Sequence, residues 1–458
     1  MTENRFGWLG VLRLGLVQTS LGAIVVLTTS TINRVMVVEL ALPAMVPGAL
    51  VALHYALQIL RPRVGHGSDL SRRRTPWIIG GMVLLAVGGI TASIAAALMS
   101  VNVVAGLVLA VLAFVAIGGG VSAAGTTLLV LLAKLTPAPR RPAAATIVWL
   151  MMIAGFAVTA IVAGKFLDPF SFGRLVAVTT VISTIAVLVT VLAVRGVESS
   201  AVAAGDSADP QPSAERAFLP ALRDTWSDPR ARLFTIFIFM SMLAYSMQDL
   251  ILEPFAGIIF GYTPGQTTSL SGLHHSGVFV GMIAIGICGT AIGGKWLGSS
   301  RFWMVAGCIA SSLALGGIII AALSGAAAAL RPCIFALGIA NGAFAIAAIA
   351  TMMSMAGEGG AGREGIRMGL WGAAQGIAFG LGGFTGTVAI DVARIAIASP
   401  QSAYAIVFAI EAAVFLVAAV IAVRLDARNA WSAVGLPELF SRFANPQAVH
   451  RSEAEGRP

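Results

Sequence analysis

The chain has 458 residues, of which 58% are hydrophobic and only 11% charged, with a formal net charge of +9 and a mean hydropathy of +0.91. A soluble domain carries roughly 25% charged residues, so this composition excludes an ordinary soluble protein and indicates one that spans a membrane many times. The basic balance is no sign of nucleic-acid binding, because the lysines and arginines lie in short segments between apolar runs.

The chain contains twelve apolar runs, each close to the 20 or so residues that a helix needs to cross a bilayer. We therefore predict an all-α membrane protein of twelve transmembrane helices in two six-helix halves. The predicted divisions are an N-terminal half at 1–194, a cytoplasmic linker at 195–232, a C-terminal half at 233–424 and a tail at 425–458. The predicted spans are 11–32, 42–60, 77–99, 104–132, 143–164, 174–194, 233–257, 269–292, 302–324, 332–355, 368–390 and 402–423.

The distribution of basic residues predicts the orientation of these spans. If both termini are cytoplasmic, nearly all of the 29 lysines and arginines fall on the cytoplasmic side. Such an asymmetry is typical of multi-pass proteins of the bacterial inner membrane. Only five basic residues are left on the opposite side: Arg34, Lys165, Arg174, Arg331 and Arg394.

The segment between the second and third spans resembles the signature loop of the major facilitator superfamily, although Leu70 replaces a basic residue that is usual there. In that family the glycine permits a tight turn, and the carboxylate caps or pairs across the seam between helices. The alternative is a plain positively charged loop. The matching residues are Gly65, Asp69, Arg73 and Arg74.

A weak internal repeat supports two homologous halves. In each half, a basic pair precedes a tryptophan, and an aspartate ends the same helix. The two sets are Arg140, Arg141, Trp149 and Asp168 in the first half, and Arg363, Arg367, Trp371 and Asp391 in the second.

The seventh predicted span carries two acids four residues apart, Asp249 and Glu253, which therefore share one helix face. Acids within a span are costly and usually face a cavity or a partner. Pro254 follows directly and is expected to break the helix, a recurring way to build a binding site. The alternative is that both acids lie hydrated near the outer end of a tilted helix.

The run from Gln248 to Phe255 strongly resembles the hallmark of PucC/LhaA-type proteins, which are major-facilitator relatives from photosynthetic bacteria. The stretch from Arg13 to Gln18, Asn33 to Arg74 and the glycine-rich eleventh span are also similar. The resemblance implies a role in assembling light-harvesting complexes, with antenna α/β polypeptides, bacteriochlorophyll or pigment-synthesis proteins as partners.

If the protein holds bacteriochlorophyll transiently, a histidine is a suitable ligand for the magnesium of the pigment. Candidates are His54 in the second span and the pair His274 and His275, which we expect to open the eighth span. Each of these could instead be a hydrogen-bonded packing residue. The cysteines show no metal-ligand spacing, and no hydrolytic triad or phosphate loop appears, so we predict no enzyme activity and no metal site.

Two further features are left open. Gly372, Gly376 and Gly380 recur at four-residue spacing in the eleventh span, which permits close helix approach, either within the bundle or by a docked antenna polypeptide. Glu411 lies inside the twelfth span with no partner that the sequence identifies.

These residues are compatible with three functions. The first is a non-enzymatic assembly factor for antenna complexes. The second is a proton-coupled transporter of a small or amphipathic solute that uses Asp249 and Glu253. The third is a scaffold that recruits pigment-synthesis enzymes through its surface.

Overall fold

The computed structural model describes residues 7–61, 73–137, 140–198, 218–289, 298–358 and 364–425. In these ranges eleven helices are long and apolar enough to span a membrane, and a twelfth apolar helix, Met45–Ala56, is shorter. We number these twelve helices as spans 1 to 12. Their bounds are Trp8–Glu39, Met45–Ala56, Thr75–Met99, Val103–Leu135, Ala143–Leu167, Phe172–Val194, Pro229–Phe260, Pro264–Ile287, Ser300–Ser324, Ala327–Met355, Arg367–Ala396 and Pro400–Val423.

The predicted all-α architecture is thus confirmed, with two buried cores that correspond closely to the two halves. One core is built mainly from spans 1–6 and the other mainly from spans 7–12. Large apolar side chains such as Leu192, Leu313 and Ile320 are more than half exposed on the bundle surface. An apolar exterior of this kind is stable only against lipid, so the protein is a multi-pass membrane protein.

Span 1 departs from a regular α-helix in its second half. π-Helical turns occupy Leu27–Thr31 and Val35–Glu39, with a short α-helical piece, Ile32–Arg34, between them. π-Helical turns are rare and are frequent at functional sites. The first of these turns and the α-helical piece after it carry the polar side chains of span 1 that reach into the other half.

The segment predicted as a linker between the two halves is partly helical. Within 195–232 the chain forms a helix at Phe218–Ser227, and span 7 already begins at Pro229. Asp228 caps that span by accepting from the Arg230 amide and pairs with Arg367. The glycine, prolines and acids between Gly205 and Glu215, on which the linker prediction rests, lie outside the described ranges. Residues 199–217 lie outside the described ranges.

The two halves contact each other through spans 5 and 8 and through spans 2 and 11. Small residues permit the close approach: a methyl group on Gly272 would meet the Ile161 amide at 2.8 Å, and one on Gly48 would meet Thr387 Oγ1 at 2.1 Å. Such contacts allow backbones to pack closely, as small residues do between membrane helices.

The same two interfaces each end in a carboxylate that accepts hydrogen bonds from the start of a helix in the other half. Asp168, which caps span 5, accepts from Thr263 Oγ1 at 2.6 Å and from the Gly265 amide at 3.2 Å, at the start of span 8. Asp391, near the end of span 11, accepts from the Ala44 and Met45 amides at 3.0 and 2.7 Å, at the start of span 2. We call these contacts the two clasps. They give the weak sequence repeat a structural meaning, because equivalent aspartates make equivalent contacts.

Candidate functional site

The centre of the candidate site is span 7, which continues through Pro254 instead of breaking there. Proline has no amide hydrogen, so the Leu250 carbonyl one turn earlier loses its helical partner. Asn33 of span 1 replaces that partner, since its Nδ2 donates to the Leu250 oxygen at 2.7 Å. The proline therefore interrupts the hydrogen-bond ladder of span 7, as expected, without ending the helix, and it creates a hydrogen-bonding link between the two halves.

Span 1 adds three more polar links across the same seam. Ser30 bonds to Ser271 Oγ at 3.1 Å, and Thr31 bonds to Thr268 Oγ1 at 3.0 Å. The Arg34 guanidinium is buried, donates to the Tyr262 carbonyl at 2.8 Å and pairs with Glu39. These links give most of the buried polar groups of span 1 a partner in the other half, as polar groups within a membrane require.

Glu253 lies among these links and is only 2% exposed. The hydroxyls of Ser30, Thr267 and Ser271 surround it. Thr267 donates to the Pro264 carbonyl, and one of the two serines donates to the other, which leaves one serine hydroxyl hydrogen uncommitted. Among the described residues, neither Glu253 oxygen has a hydrogen-bond partner. The interpretation of Glu253 as a hydrated acid at the end of a helix therefore does not fit its position.

Asp249, one turn earlier, is half-buried and faces the two histidines of span 8. A carboxylate oxygen of Asp249 and one ring nitrogen from each of His274 and His275 lie within 4.8 Å of one another. The two neighbouring acids thus have different surroundings, with hydroxyls around Glu253 and imidazoles beside Asp249.

The histidine pair lies ten residues inside span 8 and does not open it. Span 8 begins at Pro264, where Thr263 and Gln266 form a reciprocal capping box. The predicted span begins only at residue 269, because the preceding residues 264–268 are small or polar. Those residues are mostly buried against span 1 and span 5, where their small size and hydroxyls are used for packing and hydrogen bonding.

A chain of amides holds the ring of His274. Its Nε2 lies 3.3 Å from Gln248 Nε2 and 3.2 Å from Asn341 Nδ2, and Ser311 donates to Asn341 Oδ1 at 2.8 Å. His275 bonds through Nδ1 to the Ser271 carbonyl at 2.9 Å. The two rings are therefore held in fixed orientations by side chains from spans 7, 8, 9 and 10.

His54, the third histidine candidate, lies in the N-terminal half. It is buried, bonds to Gln58 Nε2 at 3.2 Å and packs against the ring of Tyr55. None of the three imidazoles is more than 4% exposed. A tetrapyrrole must lay a broad flat face over its axial ligand, and these imidazoles do not fit one in the described arrangement. Their pigment-ligand role stays a prediction that requires the spans to separate.

Glu411 of span 12 completes the set of buried acids. It is fully buried, lies within electrostatic range of Asp249, and both of its oxygens lack a hydrogen-bond partner among the described residues. The sequence alone does not show that Glu411 lies near Asp249, because span 12 is separated from span 7 by more than 150 residues.

The glycines of span 11 divide into two groups. Gly382, Gly383 and Gly386 pack tightly on span 7, where added methyl groups would meet atoms within 3.0 Å. Gly380 faces span 2, with Tyr55 Cβ at 3.3 Å from such a methyl group. Gly369, Gly372 and Gly376 have no described neighbour within 4 Å of the position that an added methyl group would take.

Gly372 and Gly376 therefore do not serve packing within the described bundle, and the docking interpretation stays a prediction. We call the surface formed by Gly369, Gly372 and Gly376 the open glycine face. It begins one turn beyond the Gly380–span 2 contact, at the level where span 2 changes from α-helix to the 3₁₀ turn Leu57–Leu60. Ile377 beside it is 52% exposed, so the face belongs to an apolar surface.

The signature loop lies mostly outside the described ranges, including Gly65 and Asp69. At its end, the carboxylate of Glu198, which follows span 6, accepts from the amides of Arg74 and Thr75 and from Thr75 Oγ1. A carboxylate thus caps the start of span 3, where negative charge is favoured by the helix dipole. Arg73 lies beside this cap and is exposed.

Solved structures with the same architecture are transporters of the major facilitator superfamily. The chain matches the D-xylose-proton symporter with a TM-score of 0.68 at 12% identity, over 92% of this chain and 98% of that one. It matches a bacterial homologue of the human lysosomal transporter Spinster with a TM-score of 0.63 at 14% identity, over 94% and 97%. Identities this low show the fold alone, so the protein has a major-facilitator fold.

Within that fold the chain belongs to the PUCC protein family, whose model matches residues 31–430. A relative from Rhodobacter capsulatus, "Bacteriochlorophyll synthase 44.5 kDa chain", is 51% identical over 91% of this chain and 95% of its own. "Protein PucC" from the same organism is 30% identical over 92% of both chains. The family expected from the seventh span is confirmed.

Proposed function

We propose that this protein is an assembly factor for bacterial light-harvesting complexes, which binds antenna α/β polypeptides and bacteriochlorophyll within the membrane. Family membership and the bacteriochlorophyll-related name of the 51% identical relative support this class of function. The observation that carries the proposal is the open glycine face of span 11, because three glycines in a row on an apolar surface allow a transmembrane helix to approach closely.

A single-span antenna polypeptide has the right shape for this surface. Lipid tails fill the space beside Gly372 and Gly376 poorly, whereas a partner helix gains van der Waals contact along two turns. The face lies one turn along span 11 from Gly380, which approaches span 2, so a docked polypeptide borders both halves. Pigment would then be passed at the surface of the bundle rather than at the buried imidazoles.

The experiment is co-purification from a bacteriochlorophyll-producing strain, with the wild type and the variant Gly372→Leu/Gly376→Leu. We expect antenna polypeptides and a bacteriochlorophyll absorption band with the wild type, and a loss of at least tenfold with the variant. The matched control is Gly316→Leu, since Gly316 is also a helical glycine with open space, on span 9. Recovery of neither pigment nor antenna polypeptide with the wild type would contradict the proposal.

The proposal treats the chain as non-catalytic, although a relative carries the name of a synthase chain. Purified protein is accordingly expected to form no bacteriochlorophyll from its precursors, and a catalytic rate comparable to that of a known synthase would refute this part.

Proton-coupled transport is the second candidate, favoured by the burial of Asp249 and Glu253 beside the seam between the halves. Buried acids in a major-facilitator frame are a common means of coupling protons to solute movement. The variant Asp249→Asn/Glu253→Gln separates the two candidates. Loss of solute uptake in proteoliposomes with normal antenna levels favours transport, whereas reduced antenna levels without any measurable flux favour assembly.

A further inference from the structure

The side chains of Asp249, His274 and His275 converge between spans 7 and 8. Their carboxylate and imidazole ligand atoms lie within 4.8 Å of one another. Two imidazoles and one carboxylate form a donor set that suits Zn²⁺ and other divalent first-row metal ions. Bonds of about 2.0–2.2 Å to a shared ion require these atoms to draw together by about 1 Å.

The surrounding hydrogen bonds orient the imidazoles as they are oriented around metal ions. His275 is fixed through Nδ1 by the Ser271 carbonyl at 2.9 Å, which leaves the lone pair of Nε2 as a ligand. Metal-binding histidines are typically held in this way, with the second ring nitrogen donating to a backbone carbonyl.

His274 is held by the amide groups of Gln248 and Asn341. Gln248 Oε1 has no partner among the described residues. Reversal of both amides, whose orientations are assignments from the hydrogen-bond network, lets Gln248 Oε1 and Asn341 Oδ1 accept from the ring N–H while Asn341 Nδ2 donates to Ser311 Oγ. That arrangement satisfies a buried oxygen and leaves the other nitrogen of His274 as a ligand.

The charge around the cluster favours a bound cation. Glu411 is fully buried near Asp249, and Glu253 is buried one turn away, both with oxygens that lack partners in the described part of the chain. The buried Arg34 that acts on Glu253 is already paired with Glu39. Three carboxyl groups beside one engaged guanidinium are costly to ionise within the membrane, and a divalent cation lowers that cost.

We infer that Asp249, His274 and His275 bind a divalent transition-metal ion between spans 7 and 8, with Gln248, Asn341 and Ser271 positioning the imidazoles. The inference goes beyond the proposed function, because the site lies in the buried seam and not on the open glycine face. An ion at this place links span 7 to span 8 and neutralises the interior of the C-terminal half.

The test is metal titration of the full-length protein, purified in detergent from a host that makes no bacteriochlorophyll. Cobalt(II) is the probe, with its visible absorption as the signal, and Zn²⁺ is the competitor. We expect one saturable site per chain, and at least tenfold weaker binding in Asp249→Asn and in His275→Gln. His54→Gln is the matched control, since His54 is also a buried imidazole but lies in the other half, and its binding should equal that of the wild type.

Thermal stability supplies a second measurement that does not depend on the variants folding well. A ligand that binds only the folded protein raises its Tm, so Zn²⁺ should raise the Tm of the wild type and of His54→Gln. Absence of saturable cobalt binding and of any Zn²⁺-dependent shift in the wild type would overturn the inference, as would equal weakening in the control. Those results would leave the co-purification experiment on the open glycine face unaffected.

Discussion

The two clasps predict how the halves are held together. Asp168 and Asp391 each accept two hydrogen bonds from the start of a helix in the opposite half. Hydrogen bonds to a charged group contribute about 1.5–3 kcal/mol each. Asparagine keeps one acceptor oxygen but loses the charge and the second acceptor, so each Asp→Asn change should weaken its clasp by about 1–2 kcal/mol. The two sites share no partners, so the effects should add to about 2–4 kcal/mol.

This weakening favours separation of the halves at the clasp face. Since 1.4 kcal/mol is a factor of ten in an equilibrium constant, each single change should raise the separated population about 5–30-fold, and the double change should raise it further. Thr268 reports on the separation because it is buried in the seam against Thr31. A cysteine placed there, Thr268→Cys, should react with a polar maleimide in proportion to the separated population.

The labelling assay requires a background free of the three native cysteines, which are Cys288, Cys308 and Cys333. We expect labelling rates to rise in each single Asp→Asn variant and most in the double variant. Asp228→Asn is the control, because Asp228 also caps a helix but joins spans 7 and 11 of the same half. An unchanged rate in the double variant, or an equal increase in the control, would refute the role assigned to the clasps.

Three further predictions address packing, the proline link and topology. Asn33→Ala should reduce stability by about 1–3 kcal/mol, because the buried Leu250 carbonyl loses its donor. Pro254→Ala in the same chain should restore part of that stability, because it returns the helical amide. A double-mutant cycle of Tm values measures the coupling between the two residues. Gly281→Ala should lower the Tm, because the methyl group would meet the Ile339 carbonyl at 2.3 Å, whereas Gly316→Ala has open space and should not. Reporter fusions at both termini should be active on the cytoplasmic side only, and a periplasmic signal from either one would contradict the orientation drawn from the basic residues.

The sequence was sufficient for the helix count and for the family. Apolar runs of bilayer length and the run Gln248 to Phe255 are local patterns: the family is confirmed, and the count of twelve agrees approximately with the eleven long apolar helices and one shorter one of the described residues. Helix ends were less predictable where polar residues are buried. The Thr- and Ser-rich start of span 8 was assigned to a loop, since a single sequence does not distinguish a hydroxyl that faces water from one that bonds to span 1.

The candidate site depends on contacts between spans that are distant in the chain. Asp249 and Glu253 were identified from their spacing, but their surroundings differ because His274 and Ser271 approach from another helix. The replacement of the missing Pro254 amide by Asn33 joins residues more than 200 positions apart. The residue pattern within one span does not show which residues of another span it contacts. It also does not distinguish the packed Gly382 from the open Gly376.

The aspartates of the clasps are an intermediate case. The repeat placed Asp168 and Asp391 at equivalent positions in the two halves, but gave no reason for their equivalence. Their contacts supply one, since each carboxylate satisfies helix-start donors of the opposite half. A pattern shared between the halves thus indicated which residues matter, and the three-dimensional arrangement was needed to assign what they do.

The central claim is that the open glycine face serves antenna assembly, and antenna absorbance in living cells tests it most directly. In a bacteriochlorophyll-producing strain that lacks this protein, the wild type and Gly316→Leu should restore antenna absorbance to the same level. Gly372→Leu/Gly376→Leu should restore less than a tenth of it while reaching the membrane in equal amount. Full restoration by the double variant, or normal absorbance in the strain without the protein, would contradict the account.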